Sequence, residues 1–220
     1  LVLIETLWFY LFISPWIVGF LVFTAGPMVA SVAISFMRWE LLSPPEFVGL
    51  NNWAAMFKDA LFWQSLKVTS IYTVFNVPVA LTFAFLLALL MNVRVRGISF
   101  FRTLYYLPSL VSGVAVAMLW MWLLNPKFGL INWLLSLVGI AGPEWIYSKT
   151  WVIPSFVMMN LWGVGTSMVI FLAGLQSVPG ELYEAAELDG AGSLRKLWNV
   201  TIPIVSPVIL FNLIIGVIAA

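Results

Sequence analysis

Hydrophobic and polar positions alternate along this chain on the scale of whole membrane crossings. Runs of about 20 mostly apolar residues, enough to cross a hydrocarbon core of about 30 Å, recur between short polar intervals. The pattern predicts five spanning helices, at about 7–37, 68–91, 103–124, 151–175 and 204–220. These runs are too long and too evenly apolar for barrel strands, which alternate and need only about 10 residues. The expected fold class is therefore an all-α integral membrane protein, a polytopic transmembrane helix bundle, with residues 1–220 read as one transmembrane domain.

The first run carries Pro15, Gly19, Gly26 and Pro27 and is longer than the core it crosses, so a tilted or kinked helix is expected. Ser31-Val32-Ala33 resembles a signal-peptide cleavage site, but the apolar region is too long and no basic residue precedes it. The chain opens at Leu1 without an initiator Met, and its last apolar run reaches Ala220 with no stop signal. Further residues upstream and a sixth span downstream are expected.

Two of the connections are long. Residues 38–67 hold Pro44-Pro45, Gly49 and Asn51-Asn52 among the interfacial aromatics Trp39, Trp53, Phe57, Phe62 and Trp63. Residues 125–150 include Leu130 to Val138, apolar yet too short to span and expected to lie along the membrane surface. The short connection 92–102 holds Arg94, Arg96 and Arg102, the densest basic cluster, which places it in the cytoplasm. Two spans later, the polar interval 176–203 falls on the same side. Within the spans, Ala80, Ala84 and Ala88, and again Ser109, Gly113 and Ala117, recur every four residues, a stripe that lets helices approach closely. In span four, Pro154 falls in the first turn, where a missing donor does least harm.

Composition sharpens the class. Hydrophobic residues make up 63% and charged residues 9%, against roughly a quarter charged in soluble domains. Cys and His are both absent, which removes their nucleophiles and general bases, disulfides and thiolate or imidazole metal sites, so no metal site is expected. A net charge of +1 without a basic face carries no nucleic-acid signal.

The interval 176–203 is the polar exception, with acids Glu181, Glu184, Glu187 and Asp189 and bases Arg195 and Lys196. Ser177 followed by Pro179 reads as a helix start, with Glu181 near the positive end of the helix dipole. The helix is expected to reach Asp189, with Glu181, Glu184 and Glu187 along one flank and Gly190 as its stop. A second short helix carrying Arg195 and Lys196 then ends at Pro203. A solvated loop is the plain reading of such a charge run. An anionic leaflet repels its acids, however, whereas an acidic flank beside small residues suits a groove on a basic protein surface.

The spacing Glu184-Ala185-Ala186, Gly190, Val200-Thr201-Ile202-Pro203 resembles the EAA signature of the membrane-spanning permease subunits of bacterial ABC importers. Val200 and Ile202 depart from it only as aliphatic exchanges. Tyr183-Glu184-Ala185-Ala186 with Asp189-Gly190-Ala191-Gly192 is similar to the carbohydrate branch, of the maltose and glycerol-3-phosphate type. So are Phe47-Val48-Gly49-Leu50-Asn51-Asn52-Trp53 and Phe171-Leu172-Ala173-Gly174-Leu175-Gln176. The resemblance implies a permease of the cytoplasmic membrane with no chemistry of its own, moving a sugar or sugar derivative by alternating access. It implies a coupling hairpin at about 177–203 that sits on a separate cytoplasmic ATPase: Glu184 against a basic residue, Ala185 and Ala186 for close approach, and Asp189 and Gly190 at the turn. ATP and Mg would bind on that ATPase, since no Gly-x-x-x-x-Gly-Lys-Ser/Thr loop occurs here and this chain is expected to bind no cofactor. The implied partners are ATPase subunits, a second permease subunit in a heterodimer, an extracytoplasmic solute-binding protein and lipid, but no nucleic acid.

Candidates for the substrate path are Asn76 beside Pro78, Asn160, Trp162, Gly163, Gly165 and Ser167 in span four, and Asn212 in span five. Trp with Asn suits a sugar through ring stacking and hydroxyl hydrogen bonds. Interhelical packing explains any one of them equally well. Of the alternatives, an ion-coupled secondary transporter of a small polar solute lacks a mid-span Asp, Glu, Lys or Arg to carry an ion or proton relay. An intramembrane enzyme lacks His, Cys and paired carboxylates at membrane depth.

Overall fold

The computed structural model describes residues 2–93 and 95–220; Arg94 of the basic cluster lies outside the described residues. Contacts divide the chain into two compact units, Leu1–Lys67 and Val68–Ala220. Among the described residues the fold is all-α apart from one two-residue ladder. Among the described residues, three helical stretches are long and apolar enough to cross a membrane: Ile4–Ser35, Ala60–Met91 and Ser193–Ala219. Counting each of two sharply bent helix pairs as one crossing brings the number to five.

In the first unit, α1 (Val2–Phe20) passes through a π-helical turn at Leu21–Ala25 into α2 (Gly26–Ser35). The widened turn sits just ahead of Gly26-Pro27, where a plain α-helix would press the proline ring on the carbonyl four residues back. Strands β1 (Met37–Arg38) and β2 (Glu46–Phe47) then pair antiparallel, and α3 (Asn51–Lys58) follows. Asn52 pins this connection by donating from Nδ2 to the carbonyls of Ser35 and Met37, both at 2.9 Å. Trp53 Nε1 adds a bond to Ser35 Oγ at 3.3 Å. α4 (Ala60–Met91) begins ahead of the expected span start at 68.

In the second unit the core forms where α4 meets α9 (Gly165–Gln176) and α12 (Ile202–Ala219). Ala84 and Ala88 are fully buried, with Ala80 packed at the edge of the same cluster, so the small stripe does admit a close neighbour. Met168, Phe171, Leu172 and Leu175 of α9 and Val205 of α12 fill the space, with Phe85 edge-on to Phe171 at 5.4 Å. The carbonyl of Met91, at the end of α4, accepts from Arg102 Nε at 3.1 Å and Nη2 at 2.6 Å. Arg102 is thus a helix cap within α5 (Ile98–Tyr106) and not part of the loop, which ends at Gly97.

Three expectations change. The span expected at 103–124 is two helices, because a 3-10 turn at Leu107–Leu110 and extended residues Val111 and Ser112 separate α5 from α6 (Gly113–Leu123) by a 97° bend. Pro108 removes a backbone donor there, and the Ser109-Gly113-Ala117 stripe is broken between two elements. The span expected at 151–175 bends by 55° at Gly163 and Val164, between α8 (Val152–Trp162) and α9. Finally, Pro203 does not close a helix: α11 (Ser193–Lys196) continues through a π-helical turn at Leu197–Thr201 into α12. The same device occurs as in the first unit, five π-helical residues directly ahead of a residue-Pro pair. The short apolar segment after span three folds as α7 (Leu130–Leu137).

Candidate functional site

The hairpin is built from local rules. α9 ends at Gln176, and Ser177 Oγ donates back to the Gly174 carbonyl at 2.8 Å. Ser177 therefore closes α9 instead of opening the next helix, since a hydroxyl bonded backwards is not capping the amides ahead. α10 (Gly180–Leu188) instead starts from Pro179 in extended conformation, with Glu181 in its first turn. At its other end, the Gly190 amide donates to the Glu187 carbonyl at 3.0 Å and the Ala191 amide to the Ala186 carbonyl at 2.8 Å. These two bonds form a Schellman motif, which requires a left-handed residue, and Gly190 has φ +74°. Gly192 then leads into α11.

Glu184, Ala185, Asp189 and Gly190 are exposed and Ala186 is half-buried. Leu188 next to them is 91% exposed. Glu187 does not stand with the other acids as a free flank: Lys196 Nζ lies 2.5 Å from its Oε1, the one ion pair found among the described residues. Tyr183, one turn ahead of Glu187 on α10, turns inward, and its hydroxyl lies 2.9 Å from Thr201 Oγ1. Glu184 is thus offered outward on a helix that is held from behind.

Five of the seven sequence candidates for a substrate path meet at one place. Asn76, Asn160, Ser167 and Asn212 line a cavity of about 190 Å³, with Tyr72, Gly163 and Gly216. Asn160 Nδ2 donates to Asn76 Oδ1 at 2.9 Å, joining α8 to α4. Asn212 donates from Nδ2 to the Val208 carbonyl of its own helix at 3.0 Å. Asn76 and Asn212 are each 4% exposed. Gly163 and Val164, where span four breaks, form part of the wall, so the cavity sits at a helix discontinuity. Gly165 lets this broken span lie against α5: a Cβ there would be 2.5 Å from the Tyr105 carbonyl oxygen and 2.8 Å from Tyr106 Cα.

Trp162 does not line this cavity. Its ring packs edge-on to Trp120 at 6.2 Å, in an apolar hollow with Tyr105 and Pro108. Trp120 Nε1 is the buried side-chain polar atom without a hydrogen-bond partner among the described residues. Trp162 also lines a further hollow of about 290 Å³ together with Tyr72, Asn160 and Gly163, three residues that this hollow shares with the asparagine cavity. Tyr72, missed in the sequence, stands one turn ahead of Asn76, an i,i+4 signal that could have revealed it. Among the described residues no group of three or more Asp, Glu, His or Cys could hold a metal ion.

The family model described as "Binding-protein-dependent transport system inner membrane component" matches residues 77–220, a stretch that contains the hairpin and the cavity residues other than Tyr72 and Asn76. The chain belongs to this family. As a member of it, the chain is a multi-pass transport component of the inner membrane. It is 42% identical over 214 residues to the probable ABC transporter permease protein YesP of Bacillus subtilis (strain 168), covering 96% of this chain and 69% of that protein. It is 32% identical over 213 residues to the trehalose/maltose transport system permease protein MalF of Thermococcus litoralis, covering 96% and 72%. Among solved structures, a bacterial alginate ABC transporter in complex with an alginate pentasaccharide-bound periplasmic protein superimposes with a TM-score of 0.83. The identity to it is 26%, over 96% of this chain and 72% of that one. The chain is accordingly an ABC transporter permease subunit, and the resemblance expected from the EAA spacing is borne out.

Proposed function

We propose that this permease carries a sugar or sugar derivative into the cell by alternating access, driven by ATP hydrolysed on separate cytoplasmic subunits. The observation that carries the coupling part is the hairpin: Glu184 projects from a short helix whose inner face is bonded to the base of α12 and whose end is set by Gly190. An exposed acid on a braced helix suits a groove with a basic residue. In this reading residues 1–220 act as one transmembrane domain, with ATP and Mg held by the ATPase partners and a second permease subunit beside this chain. An extracytoplasmic solute-binding protein delivers the solute. The hairpin and the connection with Arg96 face the cytoplasm.

The substrate class is supported by the relatives named for trehalose and maltose and for alginate. The chemistry of the cavity agrees, because three asparagines, a serine and a tyrosine offer neutral donors and acceptors of the kind sugar hydroxyls need. At about 190 Å³ it is smaller than the roughly 300–1,000 Å³ of typical small-molecule sites. It therefore forms part of a path completed by the second permease subunit.

The reading is tested by purifying the full-length permease with the subunits that accompany it and measuring uptake of radiolabelled oligosaccharides into proteoliposomes. Glu184→Lys is expected to abolish uptake and release the ATPase subunit while the permease still inserts in the membrane. Uptake driven by an ion gradient with no ATPase present would overturn the proposal and favour a secondary transporter.

A further inference from the structure

The two arms of the hairpin are tied together by a chain of polar contacts that the EAA spacing does not explain. Tyr183 Oη lies 2.9 Å from Thr201 Oγ1. Thr201 Oγ1 in turn donates to the Lys196 carbonyl at 3.4 Å. With Tyr183 donating to Thr201 and Thr201 to Lys196, each hydroxyl proton has an acceptor and the two bonds polarise one another. Thr201 is 3% exposed. Tyr183 packs partly buried against the core cluster that includes Leu175 and Val178. Both contacts therefore sit where water competes poorly.

Thr201 also closes the π-helical turn Leu197–Thr201. Such turns interrupt the regular hydrogen-bond ladder and recur at functional sites. Along the backbone, by contrast, α10 reaches α11 only through Asp189, Gly190, Ala191 and Gly192, whose two glycines make it the most compliant route available. Asn212, on the cavity wall, stands about 16 Å further along α12.

We propose that Tyr183 and Thr201 form a strut that transmits displacement of the docking helix α10 into α12, and so into the wall of the polar cavity. The proposal rests on the hairpin being the ATPase docking element. Tyr183 is a positioning residue in this account, since it faces inward to α12 and leaves the outward docking face to Glu184. The Lys196–Glu187 pair is an outer, solvent-reached brace between the same two arms and contributes less, as exposed ion pairs do.

Residues 1–220 contain no cysteine, so the introduced pairs are the only thiols once any cysteine in the rest of the permease and in the accompanying subunits is replaced. In the full-length permease purified with its accompanying subunits in nanodiscs, spin labels at Leu188→Cys and Ser206→Cys read the α10–α12 distance. A second pair, Leu86→Cys and Ser206→Cys, reads the α4–α12 distance. Each is measured without nucleotide and after trapping with Mg-ATP and orthovanadate. With the strut intact, the first distance stays narrow and unchanged on trapping, while the second shifts. Tyr183→Phe and Thr201→Val are each expected to broaden the first distance and to reduce the fraction of molecules showing the second shift roughly two- to tenfold, the equilibrium weight of one such hydrogen bond. Thr201→Ser restores both, and the ATPase subunit stays bound throughout.

Unchanged distances in Tyr183→Phe and Thr201→Val overturn the strut, as does a Thr201→Ser variant that behaves like Thr201→Val. Loss of the ATPase subunit in Tyr183→Phe overturns it too, because Tyr183 would then be a docking contact. Failure of the underlying reading has a separate signature: Glu184→Lys retaining the ATPase subunit, or an unmutated strut with no response to trapping at the α4–α12 pair.

Discussion

The hairpin and the cavity both gather polar side chains in this apolar chain, and they are built in opposite ways. Every residue of the hairpin lies between Ser177 and Thr201, and its shape follows from a proline entry, a glycine exit and contacts between adjacent arms. The cavity draws Asn76, Asn160, Ser167 and Asn212 from four helices. Its shape depends on a bend in one span and on how closely another helix backbone approaches. A locally determined element can be weakened while the bundle survives, whereas an element assembled over long range fails together with its packing.

The sharpest way to break this contrast is Gly165→Ala. Its Cβ meets backbone atoms of Tyr105 and Tyr106 that cannot rotate away, so a loss of about 1–3 kcal/mol or more is expected. This should appear as a lower melting temperature and a poor monodisperse yield in detergent. A wild-type melting curve would show that α9 does not lie against α5.

Asn76→Leu comes next. It removes the acceptor used by Asn160, at about 0.5–1.5 kcal/mol net for one hydrogen bond, and should raise the KM for uptake in proteoliposomes. The double variant Asn76→Leu/Asn160→Leu should melt closer to the unaltered protein than the single variant does, because no amide is left unpaired, yet uptake should not recover. Recovery of uptake in the double variant would reduce the pair to packing.

Gly190→Val is the mildest for the bundle. No atom lies within 4 Å of a Cβ at that position, so only its positive φ resists substitution. A β-branched residue there costs about 1–2 kcal/mol locally. Melting should fall by less than in Gly165→Ala while the uptake rate falls, and Gly190→Asn should retain more uptake because Asn tolerates the left-handed conformation. Equal loss in both variants would point to a contact of glycine itself with the partner.

What sequence reading missed has physical causes. Ser177 and Pro179 looked like a helix start because both favour one, but the Ser177 hydroxyl had a nearer acceptor in the Gly174 carbonyl behind it. Pro203 looked like a stop, yet a π-helical turn absorbs its ring, and no local propensity announces such a turn. Trp162 was grouped with all three asparagines, yet it meets only Asn160, in a neighbouring hollow, and does not line the cavity of Asn76 and Asn212. Arg102 was counted as a loop charge although its guanidinium caps α4, a partnership eleven residues back that charge patterning cannot see.

By itself the sequence determined membrane residence, the series of apolar runs and the existence of a polar helical hairpin after span four, because transfer free energy depends on composition and the hairpin signals are spaced within a few turns. Only the tertiary structure decided that two runs are broken, that Asn76, Asn160, Ser167 and Asn212 share one cavity that Trp162 does not line, and that Tyr183 grips Thr201. Those outcomes depend on which faces of distant helices meet, and close packing settles that through atomic contacts that no linear spacing encodes.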